Sequence, residues 1–176
     1  MGLDRVSAGS DVPNEINVVI EIPKGSRNKY EYDHDRHVIF LDRRLFSATT
    51  YPADYGFVPD TLAEDGDPLD VLVVVEEPTF PGCHLWARPV GLFLMADEHG
   101  PDAKVIAVPA RDPRLAQVRD VSDLTPGLPE EIAHFFDVYK DLEPDKVTAV
   151  EGFAGVDAAL AELAAARDRY RAHSGG

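Results

Sequence analysis

The sequence predicts a strand-rich α+β fold, in which a small closed barrel or strongly curled sheet is followed by two C-terminal α-helices. Short apolar or β-branched runs, separated by Pro, Gly and Asp, recur over residues 16–108. Helical spacing of apolar residues appears only after Pro129. Because no helical segments alternate with the strands, the pattern disfavours a parallel sheet built from βαβ units.

The elements follow in order along the chain. Residues 1–15 are polar, contain Gly, Ser and Pro, and predict a disordered N-terminal arm, whereas residues 16–176 predict a single domain. Two helical stripes come last, with Pro129 suited to the first turn of the earlier helix. The predicted strands cover 18–22, 30–32, 38–41, 71–75, 84–95 and 104–108, and the stripes comprise Ile132, Phe135, Phe136 and Tyr139, then Val156, Leu160, Leu163, Arg167 and Tyr170.

Composition limits the classes of function. The net charge of -15 argues against nucleic acid or an anionic membrane as a partner, because both bind basic surfaces. The chain has no apolar run long enough to span a bilayer, no secretory signal pattern and a single cysteine, Cys83, which together predict a cytoplasmic protein. Acidic residues are concentrated between 51 and 110, and several of them, including Glu98, are typical of a solvated surface.

Asp65, Asp67 and Asp70 place three carboxylates in one turn before a strand, with no basic residue between them. Such a group is unfavourable without a cation, and hard oxygen ligands suit Mg²⁺ or Mn²⁺. A calcium-binding EF-hand is a minor alternative, because Leu69 and Asp70 occupy positions that need a ligand and a glycine. The turn therefore predicts a divalent-metal site.

More charged residues fit this prediction. Alternation along strands places Glu21 opposite its apolar neighbours and puts Lys29 and Glu31 on one face, which is either an exposed outer face or part of a site. Asp97 and Asp102 flank a turn that is either an ordinary hairpin turn or a second metal-binding group. Together with basic residues that suit phosphate oxygens, they indicate phosphoryl chemistry. Those basic residues are Lys29, Arg43, Lys104 and Lys140.

Several familiar motifs are absent from the sequence, including the P-loop, the dinucleotide fingerprint, the zincin helix and the serine-hydrolase elbow. Other motifs strongly resemble the soluble family I inorganic pyrophosphatases of bacterial type, over roughly residues 16–170. These motifs are Ile20-Glu21-Ile22-Pro23, Lys29-Tyr30-Glu31, Asp42-Arg43, Tyr51-Pro52 with Asp54-Tyr55-Gly56, the turn of residues 65–70, Arg88-Pro89-Val90-Gly91, and His134-Phe135-Phe136 through Tyr139-Lys140-Asp141-Leu142-Glu143.

The resemblance implies an OB-like closed five-stranded β-barrel. It also implies hydrolysis of pyrophosphate to two orthophosphates by a metal-activated water, without a covalent intermediate. Several Mg²⁺ ions would be bound in each active site, with Mn²⁺ or Zn²⁺ as substitutes, and bacterial relatives suggest a homohexamer. The stripe of Ile132, Phe135 and Phe136 is either part of a subunit interface or internal core.

The resemblance also assigns residues to roles. Asp67 would accept the proton of the attacking water, Asp102 is the second choice as base, and Tyr55 joins them as a catalytic residue. His34 and His99 are predicted at the edge of the site. The implied metal ligands are Asp65, Asp70, Asp97, Asp102, Glu21 and Glu31, and the implied phosphate contacts are Lys29, Arg43, Tyr55, Lys104, Tyr139 and Lys140.

Two alternatives differ in function class from a hydrolase. One is a divalent-metal or phosphate-binding module without catalysis, and the other is an OB-type domain that binds another polymer. The net charge disfavours the second alternative when the polymer is a nucleic acid. Release of phosphate from pyrophosphate separates the hydrolase from the first.

Overall fold

Five strands pair edge to edge in a closed ring in this computed structural model, which describes residues 2–175 apart from the Asp4 side chain. Following the ring, β1 pairs with β4, then β5, β8 and β6, which returns to β1. The β5–β8 pair is parallel and the other pairs are antiparallel. The ring strands are β1 (Ile16–Ile22), β4 (Asp54–Phe57), β5 (Asp70–Val73), β6 (His84–Asp97) and β8 (Lys104–Pro109).

Apolar side chains fill the ring because the strands alternate or are apolar on both faces. Val18, Ile20, Val71 and Val105 belong to one buried cluster, which the second helix covers. The pairing of the long strand β6 with β8 shifts in register between Pro89 and Gly91. A proline has no N–H to donate to a ladder, so a bulge is a position where a strand tolerates it.

Four further strands lie outside the ring. The first two, β2 (Asn28–Asp33) and β3 (Val38–Arg44), form a separate two-stranded hairpin. The short β7 (Gly100–Pro101) and the later β9 (Thr148–Ala154) pair with β6. Of these elements, β9 was not predicted, and neither was β4 in the ring, whereas the other long strands agree with the sequence patterns within a few residues.

The two C-terminal helices are α1 (Leu128–Val138) and α2 (Val156–Ser174), with β9 between them. Ile132, Phe135 and Phe136 of α1 are buried within the chain, so this stripe is internal core and does not supply a subunit interface. The predicted stripe of α2 is only partly correct, because Leu163 is its one fully buried member. The other buried residues of the helix are Ala159 and Ala166, since small alanines approach the sheet closely, whereas the predicted stripe follows the larger side chains.

The N-terminal segment differs from the predicted disordered arm. A single 3₁₀ turn spans Leu3–Arg5, and Leu3 and Ala8 are buried against the barrel. The Asn17 N–H donates to the Ala8 carbonyl at 2.8 Å. The few apolar residues of this segment lack a period, so no sequence pattern signals their packing. Met1 and Gly176, the ends of the predicted arm and domain, lie outside the described residues.

The predicted strand-rich α+β fold with a closed five-stranded ring and two C-terminal helices is confirmed. The hairpin β2–β3 lies over one end of this ring, and a cavity is formed between them. Among residues 2–175, no helix combines the length and the apolar character needed to cross a bilayer.

Candidate active site

One cavity of about 390 Å³ brings together every residue that the sequence analysis assigned to the site. Its walls come from the hairpin β2–β3, the turn before β5, the ends of β6 and β8, and the segment after α1. The predicted residues lining it are Glu21, Lys29, Glu31, His34, Arg43, Tyr55, Asp65, Asp67, Asp70, Asp97, His99, Asp102, Lys104, Tyr139 and Lys140.

A buried lysine organises the barrel side of the cavity. Lys104, only 2% exposed, donates from Nζ to Asp70 Oδ2 and to Asp102 Oδ1, both at 2.8 Å. Burial alone would lower the pKa of Lys104, but the two carboxylates outweigh it and raise that pKa above its ordinary value. Lys104 therefore stays protonated at neutral pH.

Tyr55 joins the same network. Its hydroxyl donates to Asp70 Oδ2 at 2.5 Å, and Lys104 Nζ lies 3.2 Å from the same hydroxyl oxygen. Burial, followed by the charge of Asp70, raises the pKa of Tyr55 well above its ordinary value. Burial and then Asp102 do the same for the pKa of Tyr139. Both hydroxyls remain donors at neutral pH.

Glu21 projects from β1 into the cavity, opposite the apolar face of the strand. Its Oε1 accepts the Tyr32 N–H at 2.7 Å, which joins the barrel to the hairpin. Burial raises the pKa of Glu21 to about 8, despite the lowering effect of that hydrogen bond. A carboxylate in such a position gains strongly from a nearby cation.

The turn that contains Asp65, Asp67 and Asp70 is fixed at its base and open at its tip. Leu69 is fully buried, and its N–H donates to Thr61 Oγ1 at 2.9 Å. At the tip, Asp65 Oδ1 accepts the Asp67 N–H at 3.1 Å, and Gly66 has a φ of 96° that favours glycine. Partial shielding from water, then Asp65 and Asp70, raise the pKa of Asp67.

A second set of ion pairs lies at the β6–β7 turn. Lys140 Nζ is 3.4 Å from Asp97 Oδ2 and 3.8 Å from Glu98 Oε2, while Lys146 Nζ is 2.6 Å from Glu98 Oε1. The Lys146 hydrogen bond lowers the pKa of Glu98 to about 2. Burial, opposed by Lys104, raises the pKa of Asp102.

Sequence reasoning missed some of these residues. Glu98 and Lys146 both line the cavity, although the charge pattern assigned Glu98 to a solvated surface. Glu143 is also new, because it lies behind the cavity wall and pairs with Arg43. No local pattern marks such residues, since Lys146 is 48 positions from Glu98 in the chain and Glu143 is 100 positions from Arg43.

The two predicted histidines lie at the rim. The His34 ring meets the Tyr32 ring edge-on, with centroids 4.8 Å apart, and is 5.3 Å from the Phe57 ring. The His99 side chain is 72% exposed, and its Nε2 is 3.8 Å from Glu98 Oε1. Both positions are consistent with the predicted edge of the site.

The donor set suits a hard divalent cation. Among the described residues, eight acidic and five basic side chains line the cavity, so it combines carboxylate oxygens for cations with donors for an anion. Within residues 2–175, no three acidic, histidine or cysteine side chains form a ready cage. This arrangement fits Mg²⁺, which usually keeps several waters and is held by one or two carboxylates together with substrate phosphates.

Comparisons with known proteins agree with this geometry. Residues 18–171 match the family model described as inorganic pyrophosphatase. The inorganic pyrophosphatase of Streptomyces coelicolor is 52% identical over 161 residues, covering 92% of this chain and 99% of the relative. The protein of the same name from Leifsonia xyli is 58% identical over 145 residues, covering 82% of this chain and 88% of the relative.

A solved structure matches as well. The crystal structure of inorganic pyrophosphatase from Thermus thermophilus superposes with a TM-score of 0.94 and 49% identity, covering 97% of this chain and 99% of that one. The predicted resemblance is thereby confirmed, and the chain belongs to the inorganic pyrophosphatase family.

Proposed function

We propose that the protein hydrolyses inorganic pyrophosphate to two orthophosphates by direct attack of water, with Mg²⁺ as cofactor and without a covalent intermediate. Family membership supports a hydrolase of pyrophosphate. The observation that carries the proposal is the cavity at the end of the barrel, in which acidic and basic side chains face each other. Pyrophosphate needs both kinds of group, because it is an anion that repels an incoming nucleophile.

The carboxylates proposed to hold Mg²⁺ come from both sides of the cavity, and Mn²⁺ or Zn²⁺ are proposed substitutes. When bound, several such ions supply charge neutralisation for pyrophosphate and acidify the attacking water. The raised pKa of Glu21 supports this proposal, since burial leaves its carboxylate short of positive partners. The proposed ligands are Asp65, Asp70, Asp97, Asp102, Glu21 and Glu31.

Basic and hydroxyl groups are proposed to bind the phosphate oxygens. Lys104 stays protonated beside Asp70 and Asp102, so its ammonium is available as a permanent positive charge. The hydroxyls of Tyr55 and Tyr139 stay protonated and able to donate. On the other walls, Lys29, Arg43 and Lys140 complete the proposed set of phosphate contacts. These groups would orient pyrophosphate and spread its charge during P–O cleavage.

Asp67 is the proposed acceptor of the proton from the attacking water. Within the described residues, its carboxylate accepts no hydrogen bond, and the residue is exposed at the open tip of the turn. Asp102 is the second choice, because Lys104 already occupies its Oδ1 at 2.8 Å. An ionised carboxylate at this position is a suitable general base for water.

His34 and His99 are proposed to tune the pH response or metal choice from the rim of the cavity. Activity measured against pH for His34→Ala and His99→Ala tests this role. Unchanged profiles would exclude it.

The net charge of -15 supports the proposed absence of nucleic-acid and membrane partners. The single cysteine, Cys83, supports the proposed cytoplasmic location, because it fits a reducing compartment. A homohexamer is proposed as the assembly. Its support in the structure is a set of exposed apolar side chains, including Phe40, Leu41 and Phe46. A species of 19.3 kDa in sedimentation experiments would contradict this proposal.

The decisive experiment measures phosphate release from pyrophosphate. We expect release with Mg²⁺ and none with EDTA. Asp67→Asn should lower kcat by about 10²- to 10⁴-fold, because the amide cannot accept the proton. Glu64→Gln is the matched control, since Glu64 is exposed on the same turn and does not line the cavity. A wild-type protein that binds phosphate without hydrolysis would instead indicate a non-catalytic metal- or phosphate-binding module.

A further inference from the structure

Glu143 is a buried carboxylate that lies behind the cavity wall and contacts a cavity residue from outside. Its side chain is 5% exposed. Arg43 Nε donates to Glu143 Oε1 at 3.0 Å, and Arg43 Nη2 lies 2.9 Å from Glu143 Oε2. Both oxygens of the carboxylate are thus paired with one edge of the guanidinium, which is the most directional form of this ion pair.

We propose that Glu143 is a positioning residue that directs the guanidinium of Arg43 towards the phosphate of the substrate. This inference rests on the proposed function, in which Arg43 binds a phosphate oxygen. Glu143 itself does not line the cavity. Its proposed effect on the substrate is therefore indirect and passes through Arg43.

The hydrogen bonds of Arg43 support this role. A guanidinium has five N–H donors. Nε donates to Glu143 Oε1, one N–H of Nη1 donates to Asp42, and Nη2 forms an ion pair with Glu143 Oε2 at 2.9 Å. The second N–H of Nη1 is left for another acceptor, and Arg43 lines the cavity. Because the group is planar and rigid, fixing one edge also fixes the direction of the remaining donors.

Asp42 alone would hold Arg43 differently. It lies beside Arg43 on β3, and its Oδ2 is also 3.7 Å from Lys29 Nζ. Without the charge of Glu143, the guanidinium would retain Asp42 as its carboxylate partner and be free to rotate about it. Glu143 prevents this from a different part of the chain, the segment after α1, where its N–H donates to the Lys140 carbonyl at 2.8 Å.

The same segment connects the position of Arg43 with that of Lys140. Lys140 and Arg43 are both proposed phosphate contacts, and only two residues separate Lys140 from Glu143 in the chain. A buried carboxylate that lost its partner would be costly, so the pair is expected to stay formed in the folded protein. Glu143 thereby fixes the position of Arg43, on the hairpin, relative to the segment after α1.

The test compares Glu143→Gln in two backgrounds, the wild type and Arg43→Lys, and measures kcat and KM for pyrophosphate with Mg²⁺. In the wild-type background we expect kcat/KM to fall about tenfold, the effect of losing one charged hydrogen-bonded contact. In the Arg43→Lys background the same change should alter kcat/KM by less than about twofold, because lysine cannot form the paired edge. Glu143→Asp keeps the charge and should recover part of the loss.

Controls separate positioning from folding. Glu151→Gln changes an exposed glutamate of β9 that forms no ion pair within the described part of the chain, and it should behave as wild type. Thermal unfolding verifies that each variant folds. Equal losses in both backgrounds, or wild-type kinetics for Glu143→Gln, would overturn the inference.

A second measurement keeps the test independent of turnover. Calorimetric titration with inorganic phosphate and Mg²⁺ should show weaker binding for Glu143→Gln in the wild-type background and no further weakening in the Arg43→Lys background. If wild type binds phosphate with this coupling but releases none from pyrophosphate, the proposed function fails and the positioning role stands. If the calorimetric coupling is absent, the positioning role fails, whether or not the protein hydrolyses pyrophosphate.

Discussion

The barrel wall and the hairpin wall of the cavity are built differently. On the barrel wall, Lys104, Asp70 and Asp102 form a hydrogen-bonded network around a lysine that is 2% exposed. On the hairpin wall, Lys29 and Arg43 belong to a separate two-stranded sheet whose other residues include the exposed Val38 and Leu41. Strands of the closed ring are paired on both edges, whereas the hairpin forms a sheet of its own and packs on the body through side chains such as Tyr32.

Both walls carry proposed metal ligands and proposed phosphate contacts, since Glu31 lies on the hairpin and Lys104 on the barrel. A paired strand with a buried core fixes the geometry of the side chains that it carries. Side chains on the smaller hairpin need specific contacts to direct them. The Tyr32–Glu21 hydrogen bond and the Arg43–Glu143 ion pair are two such contacts.

The largest expected effect on stability is that of replacing Lys104 in the barrel wall, compared with replacing Lys29 in the hairpin wall. Lys104→Met leaves Asp70 and Asp102 without their shared cation in a buried site, and we expect a loss of about 3–5 kcal/mol in the free energy of unfolding. Lys29→Met removes ion pairs with Glu31 and Asp42 nearer to solvent, and we expect a loss below about 1 kcal/mol. Urea unfolding in EDTA measures both variants, and equal losses would remove the distinction between the walls.

Sequence patterns predict strands in both walls. Alternation in β1 and the apolar run after Asp70 indicate ring strands, because these strands bury whole apolar faces, and the runs at 30–32 and 38–41 indicate the hairpin. The four-residue β4 was missed because it contains Gly56 and follows a proline, and β9 because Glu151 and Gly152 interrupt its pattern. In each missed strand, pairing with a neighbour that is distant in sequence decides the structure.

The site residues show the same limit. The turn of residues 65–70 is visible in the sequence because its carboxylates are close together. Strand alternation and the second acidic turn indicate further charged residues, and the family resemblance assigns their roles and adds Tyr55 and Tyr139. Glu143 and Glu98 were not assigned, since their partners Arg43 and Lys146 lie on other elements. Their buried or partly buried setting depends on how the hairpin and the post-helix segment meet.

Two glycines provide a second comparison, with a smaller effect. A Cβ on Gly56 in β4 would lie 1.9 Å from the Val19 carbonyl oxygen, so the paired strands would have to separate. Gly25, before the hairpin, has a φ of 83°, and among the described residues only its chain neighbours come within 4 Å of where a Cβ would stand. We expect Gly56→Ala to cost about 3 kcal/mol from overpacking, and Gly25→Ala to cost about 1 kcal/mol from backbone strain alone.

Urea unfolding again measures the two costs. Thermal unfolding of the same pair serves as the control for changes in the slope of the urea transition. If Gly25→Ala proved as costly as Gly56→Ala, the hairpin would be as tightly constrained as the ring.

The smallest expected effect concerns the support of the barrel wall by α2. Asp120 Oδ2 accepts the Val156 N–H at 2.8 Å at the start of this helix, and Asp120 Oδ1 accepts the Ser122 N–H at 3.2 Å. The hydrogen bond from Val156 is the main reason that the pKa of Asp120 lies below its ordinary value of 3.8. The folded state favours the ionised form of Asp120. Its hydrogen bonds therefore contribute fully to the free energy of unfolding above pH 3.8, and this contribution is lost as the pH falls through the lower pKa of the folded state.

Asp120→Ala should therefore lower the free energy of unfolding by at most about 1 kcal/mol near neutral pH, since the carboxylate is close to solvent. The difference from wild type should shrink at pH values below the folded-state pKa. Asp35→Ala, on the exposed hairpin turn, is the control and should match the wild type at neutral pH. A difference for Asp120→Ala that grew on acidification would contradict the assigned sign.

Hydrogen exchange of single amides tests whether the loss of stability in Asp120→Ala is confined to the barrel wall of the cavity. Helix α2 supports the segment before Asp65, since the Leu62 N–H donates to the Ala166 carbonyl at 2.9 Å and Arg169 Nε donates to the Leu62 carbonyl at 2.7 Å. In Asp120→Ala, the Leu62 amide should therefore exchange faster, while the Tyr32 amide, held by Glu21 at the hairpin, should keep its protection. Faster exchange at both amides would mean that the two walls open together, and that their different construction does not make them independent.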